Sequence, residues 1–237
     1  MSLFVLQGAV EQGFIYSLVA LALYLSFRTL DIADLTTDGT FTLGAACSAI
    51  MTVQGHPWAG LGLALLLGAA AGLVTALLQT RLGVQPILAG IITMTGLYTI
   101  NLLVMGGRSN LNMLQEENVF TAAQAALGSL GTPLLAFLFA AGAGLLLTFF
   151  LRTQLGLSIR ATGDNRQMVA ASSINPAVTT AVGLCLANAM TALSGALLAQ
   201  YQKFSDVSLG TGMVVIGLAS LIIGEVVLGR GGVFRGA

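Results

Sequence analysis

The chain has 237 residues, 56% of them hydrophobic and only 8% charged, and its nine basic and nine acidic side chains cancel to zero net charge. Soluble domains carry roughly 25% charged residues, so this composition excludes a water-soluble globule and points to helices in a bilayer. With no basic patch interleaved with aromatics, nucleic acid is excluded as a partner.

Runs that reach or approach the ~20 apolar residues needed to span the hydrocarbon core predict an all-α polytopic bundle. Its seven helical segments are Leu3–Phe27, Gly39–Val53, Trp58–Thr80, Pro86–Met105, Pro133–Leu151, Ala177–Gln200 and Ser208–Leu228. The first run has no basic residues before it and is longer than a signal-peptide core, so it is expected to remain as a helix. Within it, Glu11 and Gln12 are polar residues that either line a path or bond between helices.

Next comes Leu30–Gly44, which sets Asp31, Asp34 and Asp38 between two apolar runs. One reading is a solvated turn, with Asp38 capping a helix that begins at Gly39. The other is a broken helix at membrane depth, whose freed backbone groups and hydroxyls face a water-filled path. On the second reading Asp34, Thr36, Thr37, Asp38, Thr40 and Phe41, with Asn101 from the fourth segment, are candidate substrate-pathway residues.

His56 beside Pro57 reads as a turn residue, since a metal site needs several convergent donors. Gly68-Ala-Ala-Ala-Gly72 has the small-xxx-small form that allows close helix packing in lipid. The loop Gly106–Thr132 carries Glu116 and Glu117. Asn188 and Glu225 are further polar residues within helices, and snorkelling or pairing with Arg230 explains Glu225. Cys47 and Cys185 lack metal-ligand spacing. His-Glu-x-x-His, Gly-x-Ser-x-Gly and the Walker phosphate loop are all absent. The chain is therefore expected to be no enzyme, and to bind no metal or cofactor itself.

Between the fifth and sixth segments lies a polar island, Arg152–Asn175, with three of the nine basic residues. Placing it in the cytoplasm puts Arg28, Arg81, Arg152, Arg160, Arg166, Arg230 and Arg235 inside and only Arg108 and Lys203 outside, as the positive-inside rule requires. The N-terminus and the loop Gly106–Thr132 then lie outside. Asp164 followed by Gln167 has the form of a capping box for a short helix from about Asn165 to Ser173. Gly156 and Gly163 read as hinges on its approach, and Pro176 as its stop. Such a basic interfacial helix either anchors to anionic lipid or docks a partner.

Residues Leu155-Gly-Leu-Ser-Ile-Arg-Ala-Thr-Gly-Asp-Asn165, then Met168-Val-Ala170 and Ile174-Asn175, resemble the cytoplasmic coupling loop of ABC-importer permeases of the branched-chain amino-acid and ribose type. Asp34-Leu-Thr-Thr-Asp-Gly-Thr-Phe41 resembles the signature of a subgroup associated with tryptophan or tyrosine uptake, and Gly217-Leu-Ala-Ser-Leu-Ile-Ile-Gly-Glu225 its late helix. The resemblance implies one permease domain over 1–237, with 152–176 as the coupling loop. Gly156, Arg160, Ala161, Thr162, Gly163, Asp164, Asn165 and Arg166 would form the ATPase-coupling set.

It further implies a homodimer in the bacterial inner membrane, seated on two cytoplasmic ATPase subunits that hold ATP and Mg. An extracytoplasmic binding protein would deliver an aromatic or branched-chain amino acid. Family members usually continue with one or two more helices, whereas this sequence stops at Ala237. The alternatives are a permease for a sugar or nucleoside, or a stand-alone channel or secondary carrier in which Asp31, Asp34, Asp38 or Glu11 binds the driving ion.

Overall fold

The computed structural model describes residues 3–228. Its helices are α1 (Leu3–Leu23), α2 (Thr36–Val53), α3 (Pro57–Thr80), α4 (Pro86–Val104), α5 (Val119–Leu127), α6 (Gly131–Leu151), α7 (Gln154–Asp164), α8 (Arg166–Ala171), α9 (Pro176–Gln202) and α10 (Met213–Leu228). Five helical stretches, Val5–Thr29, Pro57–Thr80, Pro86–Val104, Gly131–Leu151 and Pro176–Gln202, are long and apolar enough to cross a membrane. With α2 and the shorter apolar α10 they form the expected all-α polytopic bundle.

Two helices organise it. The 27-residue α9 packs against α1, α2 and α3, and α2 lies enclosed between α3, α4 and α9. Glycine sets their spacing. A Cβ at Gly44 of α2 would overlap the Ala192 carbonyl of α9, and one at Gly195 of α9 would overlap the Phe41 carbonyl of α2. Gly68 and Gly72 do the same for α3, opposite Asn188 and Leu184, so the small-xxx-small stretch is a packing face. Backbones this close gain dispersion contacts that larger side chains would prevent. The outward faces of α4, α6 and α10 carry exposed Ile, Leu and Val, as lipid-facing helices do.

α1 does not run straight into α2. It ends in a wide π-type turn, Tyr24–Thr29, and the chain then reverses at Asp31, whose φ is 55°. α2 starts at Thr36, not at Gly39, so Asp38 stands inside its first turn. The break lies within the bundle. Asp34 bonds to Asn188, twelve residues along α9, or ~18 Å at the helical rise.

The segment expected as one outer loop is structured. β1 (Asn110–Asn112) pairs antiparallel with β2 (Phe204–Asp206), Leu111 opposite Ser205. α5 follows, with a capping box between Asn118 and Thr121. After β2 the chain turns back into the bundle before α10 begins.

The polar island also differs from expectation. It holds two helices, and Gly156 and Gly163 lie inside α7 as close-approach positions rather than hinges. A Cβ on Gly156 would overlap the Phe150 carbonyl, and one on Gly163 the Thr29 carbonyl. The cap of α8 is Asn165, whose Oδ1 accepts from Gln167 N at 3.1 Å and Met168 N at 3.0 Å. Asp164 ends α7 instead. Pro176 occupies the first turn of α9, capped by Asn175.

Candidate translocation groove and coupling surface

The break between α1 and α2 collects a polar seam across four helices. Asp34 Oδ1 accepts from Thr36 N at 2.9 Å, and its Oδ2 accepts from Asn188 Nδ2 at 2.7 Å. Asn188 Oδ1 in turn accepts from Thr40 Oγ1 at 2.6 Å. Thr36 Oγ1 shares a hydrogen bond with Thr75 Oγ1 of α3 at 2.8 Å, and Thr75 Oγ1 donates to Thr93 Oγ1 of α4 at 3.0 Å. Thr37 Oγ1 donates to the Asp34 carbonyl. All these side chains are buried. In an apolar interior an unpaired polar group costs several kcal/mol (about 2–7), so the network holds the break and the start of α2 against α3, α4 and α9.

A second polar face of α2 points the other way. Asp38 Oδ2 accepts from Gly212 N and its Oδ1 from Val214 N, each at 2.9 Å. Thr42 Oγ1 accepts from Gly210 N at 3.0 Å. Asp38 thus caps α10 from a neighbouring helix, where the carboxylate also meets the positive end of that helix dipole.

Beside this junction is a groove of about 260 Å³ between α2, α4 and the chain before α10. Asp38, Thr42, Met94, Thr95, Tyr98 and Asn101 line it, with Gly39, Val207 and Thr211. Asn101 is 1% exposed; its Nδ2 donates to the Gly39 carbonyl at 3.2 Å, while its Oδ1 has no partner among the described residues. The groove therefore combines an aromatic ring, a thioether, hydroxyls and one unpaired amide acceptor.

The candidate pathway residues divide accordingly. Asp38 and Asn101 meet at the groove. Asp34, Thr36, Thr37 and Thr40 belong to the seam, and Phe41 is 0% exposed in the core with Ile15, Leu18 and Leu197. Tyr98, Met94 and Thr95 were missed at the sequence level. Their available signal was the shared face of α4: Tyr98 and Asn101 are three apart and so neighbours on one side.

The coupling set also divides. Gly156 and Thr162 are buried, and Thr162 Oγ1 shares a 2.8 Å hydrogen bond with Thr179 Oγ1 of α9. Gly163 lies against Thr29. Arg160 and Ala161 are half-buried, whereas Asp164, Asn165 and Arg166 are exposed, as is Met168 on α8. One side of the α7–α8 pair thus packs on the turn after α1 and the start of α9, and the other is exposed. At the same end Arg28 Nε donates to Glu225 Oε1 at 2.9 Å. That is a different partner from the expected Arg230, which lies outside the described residues together with Arg235. His56 is exposed, and among the described residues no group of His, Cys, Asp and Glu could hold a metal ion.

A multi-pass helical bundle with a broken, polar-lined interior and a polar appendage at one end is the architecture a membrane permease needs. The model of the family described as branched-chain amino acid transport system, permease component, matches residues 5–235, and the chain belongs to that family. It is 38% identical over 218 residues to a protein of Clostridioides difficile (strain R20291) named tyrosine transport system permease protein, covering 92% of this chain and 72% of that one. It is 31% identical over 221 residues to an uncharacterized protein of Rickettsia prowazekii (strain Madrid E), covering 93% and 77%. No solved structure matches the chain.

Proposed function

We propose that this permease is the membrane-spanning subunit of an ATP-driven importer for an amino acid, aromatic or branched-chain. Two copies pair in the bacterial inner membrane with their N-termini outside. A separate pair of cytoplasmic ATPase subunits binds ATP and Mg, and an extracytoplasmic binding protein supplies the cargo. An aromatic cargo is favoured by the Tyr98 and Met94 lining of the groove, and by the tyrosine transport system named for the 38% identical relative.

The observation that carries the coupling role is the seating of α7. Gly163 against the Thr29 carbonyl and Thr162 bonded to Thr179 tie this helix to the end of α1 and the start of α9. The exposed α8, with Asn165 and Arg166, enters a cleft of the ATPase. Closure of the ATPase around ATP moves α8 and α7 together, and the shift reaches the break at Asp34 through the turn ending at Thr29. Only differential contact with the two ATPase states can drive such a change.

The test is substrate-stimulated ATP hydrolysis by the assembled complex with Gly163→Ala, Asp164→Ala or Arg160→Ala. We expect the complex to assemble while stimulation falls, most for Gly163→Ala, whose new methyl group separates α7 from Thr29. Unchanged stimulation in all three variants would overturn the role of the loop.

A further inference from the structure

A second cavity, of about 290 Å³, lies at the opposite end of the bundle from α7, between α1, α5, α6 and α9. Both a carboxylate, Glu11, and an ammonium, Lys203, line it. Glu11 is only 6% exposed. Its Oε1 accepts from Gln7 Nε2 and its Oε2 from Tyr201 Oη, each at 2.9 Å. Each carboxylate oxygen offers about two acceptor sites, so both keep capacity for a further donor.

The opposite charges share the cavity without forming an ion pair; among the described residues Lys203 has no carboxylate partner. Their anchoring explains why. Glu11 is held back by Gln7 and Tyr201, while Lys203 ends α9 in the left-handed conformation, φ 55° and ψ 33°. Glycine or asparagine would take that backbone position more cheaply. Two opposite charges that line one small, part-enclosed space without pairing suit a ligand that carries both. A lone cation would face Lys203, and a lone anion would face Glu11.

Two aromatic rings also line the cavity. Phe120 and Tyr201 meet edge to face, with ring centres 5.7 Å apart. Gln124 Nε2, bonded to Thr132 Oγ1 at 2.7 Å, adds a polar rim. The volume, about 290 Å³, is near the ~300 Å³ lower end of ligand pockets, which suits an amino acid.

We propose that this cavity is a receiving site for the zwitterionic head of an α-amino acid, with the Lys203 ammonium on its carboxylate, Glu11 on its ammonium and the Phe120–Tyr201 pair against its side chain. The inference rests on the import reading above, which places this end outside. It adds a station before the groove at Asn101.

The test is direct binding of radiolabelled L-tyrosine to the full chain in nanodiscs, competed with tyramine and with 3-(4-hydroxyphenyl)propionate. The wild type should prefer tyrosine to both. Lys203→Asn, which keeps the left-handed turn, should remove the preference over tyramine. Glu11→Gln, which retains an acceptor for Tyr201, should remove the preference over the propionate. Each variant should lose about tenfold or more in tyrosine affinity, the size of one charge-assisted hydrogen bond. Saturable tyrosine binding that neither variant alters would overturn the site and leave the import function standing. Binding of L-serine but not L-tyrosine, with the same dependence on both charges, would support the site and remove the aromatic cargo from the functional reading. Absence of binding for every amino acid tried, by a chain that still melts cooperatively, would overturn the site.

Discussion

Replacing Asp38 by alanine probes the junction that fixes the start of α10 inside the bundle. The change strands two backbone donors, Gly212 N and Val214 N, which now meet the carboxylate at 2.9 Å each. A part-buried donor without a partner costs about 1–3 kcal/mol, so the pair amounts to about 2–6 kcal/mol. Water entering the adjoining groove offsets part of this, leaving about 2–3 kcal/mol, somewhat above a single helix cap. For a chain of this size each kcal/mol moves the melting temperature by ~2–4 °C, so a fall of roughly 4–12 °C is expected. Asp38→Asn keeps one acceptor and should fall between wild type and Asp38→Ala. Cys47 is 2% exposed, so once the part-exposed Cys185 is replaced by serine, a thiol-reactive fluorogenic dye reads unfolding in detergent. Hydrogen exchange should quicken at Gly212 and Val214 before it does elsewhere. Unchanged melting together with unchanged exchange at those amides would refute the capping role.

Three further outcomes can be measured on the same preparation. Gly195→Ala places a methyl group on the Phe41 carbonyl and should cost more than the usual ~1–3 kcal/mol of overpacking, because backbone must move; Gly62→Ala, facing open space, is the control and should melt no lower than wild type. Asn165→Ala removes the cap of α8, worth about 0.5–2 kcal/mol, and exchange should rise at Gln167 and Met168 while α9 stays protected. A double-mutant cycle on Arg28 and Glu225, 49% and 22% exposed, should return no more than ~1 kcal/mol; a larger coupling would mean that the pair is shielded from water.

The membrane helices were legible because length and apolarity decide them. Pro86–Met105 is observed as Pro86–Val104, and Trp58–Thr80 as Pro57–Thr80. The polar segments were less so, and glycine shows why. Gly156 and Gly163 suggest flexible approaches to a helix, yet backbone presses on each: the turn at Phe150 on Gly156, and on Gly163 the distant Thr29, a tertiary contact invisible to local pattern. One of the two readings of Asp38 makes it the cap of the nearest helix start in sequence, whereas its carboxylate serves a helix start more than 170 residues later. Of the coupling set, the spacing revealed the helix after Asn165 but took Asp164 for its cap. The groove was half legible: Asp38 and Asn101 stood out as polar residues among apolar ones, while Tyr98 and Met94 look like ordinary membrane residues until the chain before α10 folds back beside them.

Transport itself tests the central claim. The permease would be reconstituted in proteoliposomes with an ATPase and a binding protein from the same source, and uptake of labelled L-tyrosine followed with ATP, without ATP, and with an imposed ion gradient alone. The account predicts uptake that needs ATP and the binding protein, and none from the gradient. Uptake driven by the ion gradient in liposomes holding only this chain would contradict it.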